Sequence, residues 1–264
     1  MRLTISIIAL ALLSACSASE DVAVVQAEPS TPGPHIVNAI NSLDRPESDI
    51  GRDAGRHPAE ILTFAGIEQG WTVADIGSGG GYYTRILSAA VGSEGEVVSH
   101  NFQWVVDRFP STDEAQQEII SNRDNVSYFV SDAGSVGAGL PSDLDAAIII
   151  LGFHDVVWQQ PGIQALTREE RGALLETIFA QLRSGGVMLV IDHRAEDGSG
   201  TRDIDAYHRI DEAIVREEFI AAGFEVAAES DILSNPDDTR MISVFDPSIR
   251  GNTDRFVLLF RKPL

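Results

Sequence analysis

The segment VADIGSGGGYYT, residues 73–84, constrains the fold more than any other part of the chain. A short apolar run carries one carboxylate, Asp75, and passes into a glycine cluster that includes Gly77, Gly79 and Gly81. It then continues into residues spaced as a helix face at Tyr83, Ile86, Leu87 and Ala90. A strand that turns through glycines into a helix is the opening unit of an open α/β sheet, since glycine tolerates the left-handed backbone that such a turn needs.

The rest of the chain keeps up the alternation. Residues 59–67 read as a short helix closed by Gly70, and 71–77, 94–101, 126–132 and 144–153 as strands, the last apolar enough to be buried on both faces. Thr167 and Glu170 form a capping box. It opens a helix with Leu174, Leu175, Ile178, Phe179 and Leu182 on one face, which Gly185 and Gly186 are expected to end. A fifth strand at 187–193, a helix at 211–224 capped by Asp211, and strands at 225–232 and 254–263 complete the series. Residues 235–253 lack a period and are expected to fold over the sheet edge. Strands alternating with helices imply a mostly parallel sheet with right-handed crossovers.

Two cofactor classes compete for the glycine loop. A dinucleotide binder wants G-x-G-x-x-G, but position 82 is tyrosine; a P-loop wants G-K-[ST], which is absent. The spacing here is D-x-G-x-G-x-G. The charge argues against nucleic acid as a partner, because a net charge of −21 repels phosphates and the sequence shows no basic stripe, with one lysine, Lys262, in 264 residues.

Asp75, Gly77, Gly79 and Gly81 resemble motif I of the class I S-adenosylmethionine-dependent methyltransferases. Further blocks, GGGYYT, FHD, IDHRAEDGSG, HRID, AAGF, NPDD and VFDPSIRGNTDRFVLLFRKP, resemble a family of bacterial predicted methyltransferases over about residues 52–263. The resemblance implies an α/β, Rossmann-like class I methyltransferase fold: a mostly parallel seven-stranded sheet with helices on both faces and an antiparallel last strand. It implies S-adenosylmethionine as cofactor. Asp75, Gly77, Ser78, Gly79 and Gly81 would hold its methionine part. Asn101 would take the place of the usual acidic ribose ligand, and Asp132 would lie where the adenine amine is met.

If strands four and five are neighbours, His154 and Asp155 come close to Asp192 and His193. Methyl transfer is an in-line displacement that asks the protein to align the acceptor and remove its proton, a task suited to histidine. His154 is the first candidate for the base, His193 the second, and His208, Arg209 and Asp211 are expected to close over a small-molecule substrate. No metal ligand is assigned, although Asp155, Asp192 and His193 form an alternative set for Mg²⁺ in which imidazole would better suit zinc or iron.

Arg2, an apolar run at 3–13 and small residues before Cys16 have the form of a secretory signal. LSAC at 13–16 resembles the bacterial lipobox, which implies lipid attachment at Cys16, the sole cysteine. The expected organisation is a signal peptide at 1–15, a flexible Ser/Ala/Pro-rich tether at 16–39 and a single domain at 40–264, facing the periplasm as a lipoprotein. The membrane is met through the lipid alone. The leading expectation is an envelope methyltransferase acting on a small molecule or envelope component. The alternative is a catalytically inactive binding module, since S-adenosylmethionine is made in the cytosol.

Overall fold

The computed structural model describes residues 30–159 and 164–264, so the signal and lipobox reading lies outside the described residues. Seven strands form one sheet: β1 (Thr72–Ile76), β2 (Glu96–Phe102), β3 (Val126–Ser131), β4 (Leu144–Ile150), β5 (Leu182–His193), β6 (Glu225–Ser230) and β7 (Arg255–Arg261). Their order is β3-β2-β1-β4-β5-β7-β6, and only β7 runs antiparallel to its neighbours. The chain winds outward from β1 to β3, then returns to β4 on the other side of β1. At that reversal the strand ends open into a crevice over Asp75.

Both faces of the sheet are covered, which is why β1 and β4 are apolar in both directions. On one face Ala74, Ile76, Ala147 and Ile149 pack beneath the helices Arg168–Gln181 and Glu212–Ala221. On the other, Val73, Ala146 and Ile148 pack with Ile86 and Leu87 of the helix Tyr82–Val91 and Ile119 of the helix Pro110–Asn122. The capping box at Thr167 forms as read, with Glu170 N–H donating to Thr167 and the Glu170 carboxylate accepting from Thr167 N–H at 2.7 Å. The helix ends at Gln181, ahead of the glycine pair. Leu182, expected on its apolar face, opens β5 instead by pairing with Leu144.

Two spans differ from the sequence reading. The helix Pro34–Ile40 takes up the end of the stretch read as tether and the first residue of the domain; Ile36 and Ala39 are buried with the Tyr82–Val91 helix, and that apolar contact holds the segment to the domain. The stretch at 235–253 covers the carboxyl end of β5 and the amino end of β7 beside it rather than the sheet edge. A buried charge explains the path: Asp238 and Arg209, both side chains fully enclosed, pair at 2.9 Å. Asp238 also accepts from Asp254 N–H at 2.7 Å, and Val244 N–H donates to the Tyr207 carbonyl at 3.1 Å. Among the described residues no helix is long and apolar enough to cross a membrane.

Removing one partner of an enclosed ion pair leaves the other charge without compensation. Asp238→Ala is therefore expected to lower stability in urea denaturation by about 3–5 kcal/mol; a loss under about 1 kcal/mol would contradict this account of the pair.

Candidate active site

The glycine loop is held open by β2. Gly77, Gly79 and Gly81 all have positive φ, at 67°, 55° and 80°. Gly81 caps the helix Tyr82–Val91, and a Cβ there would strike the Ile119 side chain as well as strain the backbone. Asn101, fully buried at the end of β2, accepts from Gly79 N–H at 2.8 Å and donates to the Gly79 carbonyl at 2.9 Å. Ser78 donates its N–H to the His100 carbonyl at 2.9 Å, and its hydroxyl accepts from Ser99 and Gln116, each at 2.8 Å.

These bonds correct one expectation. The Asn101 amide is used on both sides by the loop, so it pins the loop rather than facing a ribose. Asp132 is exposed beyond β3 and does not line the crevice. Asp75, Gly77, Ser78 and Gly79 do line it, around a cavity of about 250 Å³ with Trp104 and Val105 forming an apolar wall. Gly81 shapes the turn from behind.

Asp75 is 3% exposed. It accepts from the Thr84 hydroxyl at 2.6 Å and has no ion-pair partner among the described residues. Burial pushes its pKa up to about 6, against the opposing pull of the Thr84 hydroxyl and the Arg56 charge. A buried carboxylate with no ion-pair partner among the described residues, opening onto a cavity, is matched to a cationic ligand group.

Arg52 and Arg56 line the same cavity. The sequence reading missed both, because arginine on a short helix of an acidic chain looks like a surface residue. Arg56 lies over the Tyr82 ring at 4.5 Å, and Tyr82 donates to Asp53 at 2.6 Å, fixing the helix Asp53–Arg56 against the loop. A second cavity of about 720 Å³ adjoins through Arg52, Arg56 and Leu151, and Arg250, Arg255 and His193 also line it. Neither Arg56 nor Arg255 pairs with a carboxylate among the described residues; Arg255 donates only to the Thr253 and Gly251 carbonyls. Burial lowers the pKa of both guanidinium groups.

At the ends of β4 and β5 the four residues singled out in the sequence do meet. Asp192, fully buried, accepts from His154 N–H at 2.9 Å and holds His154 Nδ1 at 2.6 Å. His154 Nε2 faces Asp155 Oδ1 at 3.4 Å, and His208 Nε2 reaches the same oxygen at 3.2 Å. His208 arrives because residues 208–210 extend the end of β5: Ile210 N–H donates to the His193 carbonyl and Ala195 N–H to the Ile210 carbonyl, both at 3.0 Å. Its φ of 60° and that of Leu151, 56°, are left-handed for non-glycine residues, and such backbone strain tends to gather at functional sites. Arg209 and Asp211 are structural instead: Arg209 pairs with Asp238, and Asp211 caps the helix Glu212–Ala221.

The two histidines of the pair differ electrostatically. Burial works against charge on His154, but the Asp192 and Asp155 carboxylates outweigh it and raise the pKa to about 9. Burial, followed by the His154, Arg255, Arg209 and His208 charges, holds His193 well below the usual histidine range. His193 Nδ1 is fixed by the Thr253 hydroxyl at 2.7 Å. His193 lines the second cavity, whereas His154 lines neither.

Residues 54–148, little more than a third of the chain, match the sequence profile of the protein-L-isoaspartate(D-aspartate) O-methyltransferases. No curated protein matches the chain. Among solved structures it is similar to a SAM-dependent methyltransferase from Aquifex aeolicus, with 19% identity, a TM-score of 0.54 and coverage of 84% of this chain and 96% of that one. The Haloferax volcanii complex of the Trm112 methyltransferase activator and a putative methyltransferase gives 19% identity and a TM-score of 0.53 over 89% and 100% of the two chains. The [4+2]-cyclase SpnF gives 18% identity and a TM-score of 0.51 over 82% and 81%. The fold is the Rossmann-like class I methyltransferase fold, as expected.

Because the folded value of Asp75 lies above the ordinary carboxylate value of 3.8, the native chain keeps this proton to higher pH than the unfolded chain does. Its contribution to stability is complete below about pH 4 and is lost as pH rises through about 6. In urea denaturation of the ligand-free protein, wild type is expected to lose more stability than Asp75→Asn between those values. Equal slopes would contradict the raised pKa.

Proposed function

We propose that this S-adenosylmethionine-dependent methyltransferase methylates an anionic small molecule, and that it works at the bacterial envelope, held by a lipid on Cys16. The observation that carries the reading is the junction of two cavities of opposite demand. One ends on the carboxylate of Asp75 and the other on the guanidinium groups of Arg255 and Arg250, none of which has an ion-pair partner among the described residues. In a chain of net charge −21, cations gathered in one cavity favour an anion there.

The residues present fit the cofactor. Asp75 would balance its ammonium group, Arg52 and Arg56 its carboxylate, and Trp104 with Val105 would offer a surface for the adenosine part. The cofactor supplies a methyl group on a cationic sulfur. Arg255 and Arg250 would seat the acceptor's anionic group in the adjoining cavity, and His193, held from Nδ1 by Thr253, would take the acceptor's proton at Nε2. Alignment and proton removal are what such a displacement requires of the protein.

Calorimetry with S-adenosylhomocysteine between pH 5 and 7.5 tests the cofactor end. Asp75 must ionise to hold an ammonium group, so affinity is expected to rise with pH up to about 6 and then level, with proton release on binding below that point. Binding indifferent to pH would count against the role of Asp75. Labelled methyl transfer to small carboxylates and phosphomonoesters, set against their neutral analogues, tests the acceptor end. Arg255→Met is expected to raise KM for an active anion roughly 10- to 100-fold, the worth of a charged hydrogen bond, with little change in kcat. His193→Ala is expected to lower kcat by about 10²- to 10⁴-fold without weakening cofactor binding. Transfer to neutral acceptors alone would overturn the anionic assignment. For the anchor, palmitate labelling is expected in wild type and lost in Cys16→Ala; equal labelling would refute lipid attachment there.

A further inference from the structure

We propose that His154, Asp155 and His208 form a binding site for a divalent transition metal ion of the zinc or iron(II) type. The three donor atoms, His154 Nε2, Asp155 Oδ1 and His208 Nε2, lie within 4.8 Å of one another. Two of their separations, 3.4 Å and 3.2 Å, both involve the Asp155 oxygen. Ligands about 2.1 Å from a metal and about 90–110° apart stand roughly 3.0–3.4 Å from each other, so these two edges already match a coordination shell.

A second observation points to a ligand independently of that spacing. His154 is 2% exposed, and its Nε2 is a buried polar atom with no hydrogen-bond partner among the described residues. Its other ring nitrogen is fixed on Asp192, whose second oxygen is held by the His154 backbone N–H. A carboxylate gripping the far nitrogen of a histidine orients the ring and directs the free nitrogen's lone pair at a metal. The His208 ring is held between Trp158 at 4.4 Å and Phe245 at 4.9 Å, so its direction is set before anything binds.

The donor set selects the ion. Two imidazoles and one carboxylate suit a borderline transition ion and leave further positions open, whereas Mg²⁺ prefers a shell of oxygens. The Mg²⁺ set of Asp155, Asp192 and His193 does not assemble, because Asp192 is occupied by His154 and by backbone N–H groups, and His193 Nδ1 by Thr253. Asp155 also lines the cofactor cavity, so an open position on the ion would lie where an acceptor oxygen could be polarised.

The test needs neither methyl donor nor acceptor, so its outcome is separable from that of the methyl-transfer reading. Tag-free full-length chain, stripped with chelator, is titrated with Co²⁺ and followed by visible absorption. One equivalent is expected to bind, to be displaced by Zn²⁺ and to withstand excess Mg²⁺. His208→Ala and Asp155→Ala are expected to bind at least tenfold more weakly, and Asp132→Ala, outside the cluster, to bind as wild type. Since a substitution in the cluster can disturb folding, X-ray absorption on the wild-type chain with one equivalent of Zn²⁺ supplies a second reading: two imidazoles and a carboxylate oxygen at about 2.0–2.2 Å. Less than one equivalent bound, unchanged affinity in a folded His208→Ala, or a shell without imidazole would each overturn the site.

Discussion

The site depends on one backbone constraint, the left-handed glycine turn after β1 and its attachment to β2. A parallel strand leaving the sheet must reverse into its covering helix within a few residues. In this protein the reversal is made by Gly77, Gly79 and Gly81 and is fixed by the two-sided bond between Asn101 and the Gly79 peptide. The same bond keeps the loop out of the crevice. Asp75 lines that cavity while accepting from the Thr84 hydroxyl, and its burial sets its raised pKa.

From there the charges are arranged by contrast. The chain is strongly acidic, yet the two connected cavities hold the guanidinium groups of Arg56 and Arg255, which pair with no carboxylate among the described residues. Burying a cation without a partner is costly, and structures retain such groups where a ligand repays the cost. Beside them, Asp192 fixes His154, and the continuation of β5 carries His208 to the same point, while His193 turns toward the second cavity.

Local signals were legible in the sequence. The glycine cluster, the capping box at Thr167, the Asp211 cap and the apolar strands each arise from interactions within a few residues, and a sequence exposes those directly. Pairing partners are another matter. Asn101 looked like a ribose ligand because its position at a strand end is all the sequence gives; its bond to a peptide 22 residues earlier appears only once β1 and β2 are side by side. Arg56 and Arg255 reach one cavity from a helix before β1 and from the last strand. His208 was noted, but its meeting with Asp155 depends on a loop that bridges onto β5. The path of residues 235–253 was misread for the same reason: Asp238 is one of many acids until Arg209 encloses it. The polar helix Pro110–Asn122 escaped notice because it buries little more than Gln116 and Ile119.

The most direct test of the central claim is a crystal structure of the protein with S-adenosylhomocysteine. The account predicts the ligand in the crevice over β1, its ammonium group within hydrogen-bonding distance of Asp75 and its carboxylate facing Arg56, with the Asn101 to Gly79 pairing unchanged. A ligand bound elsewhere, or a loop that releases Asn101 and fills the crevice, would contradict it.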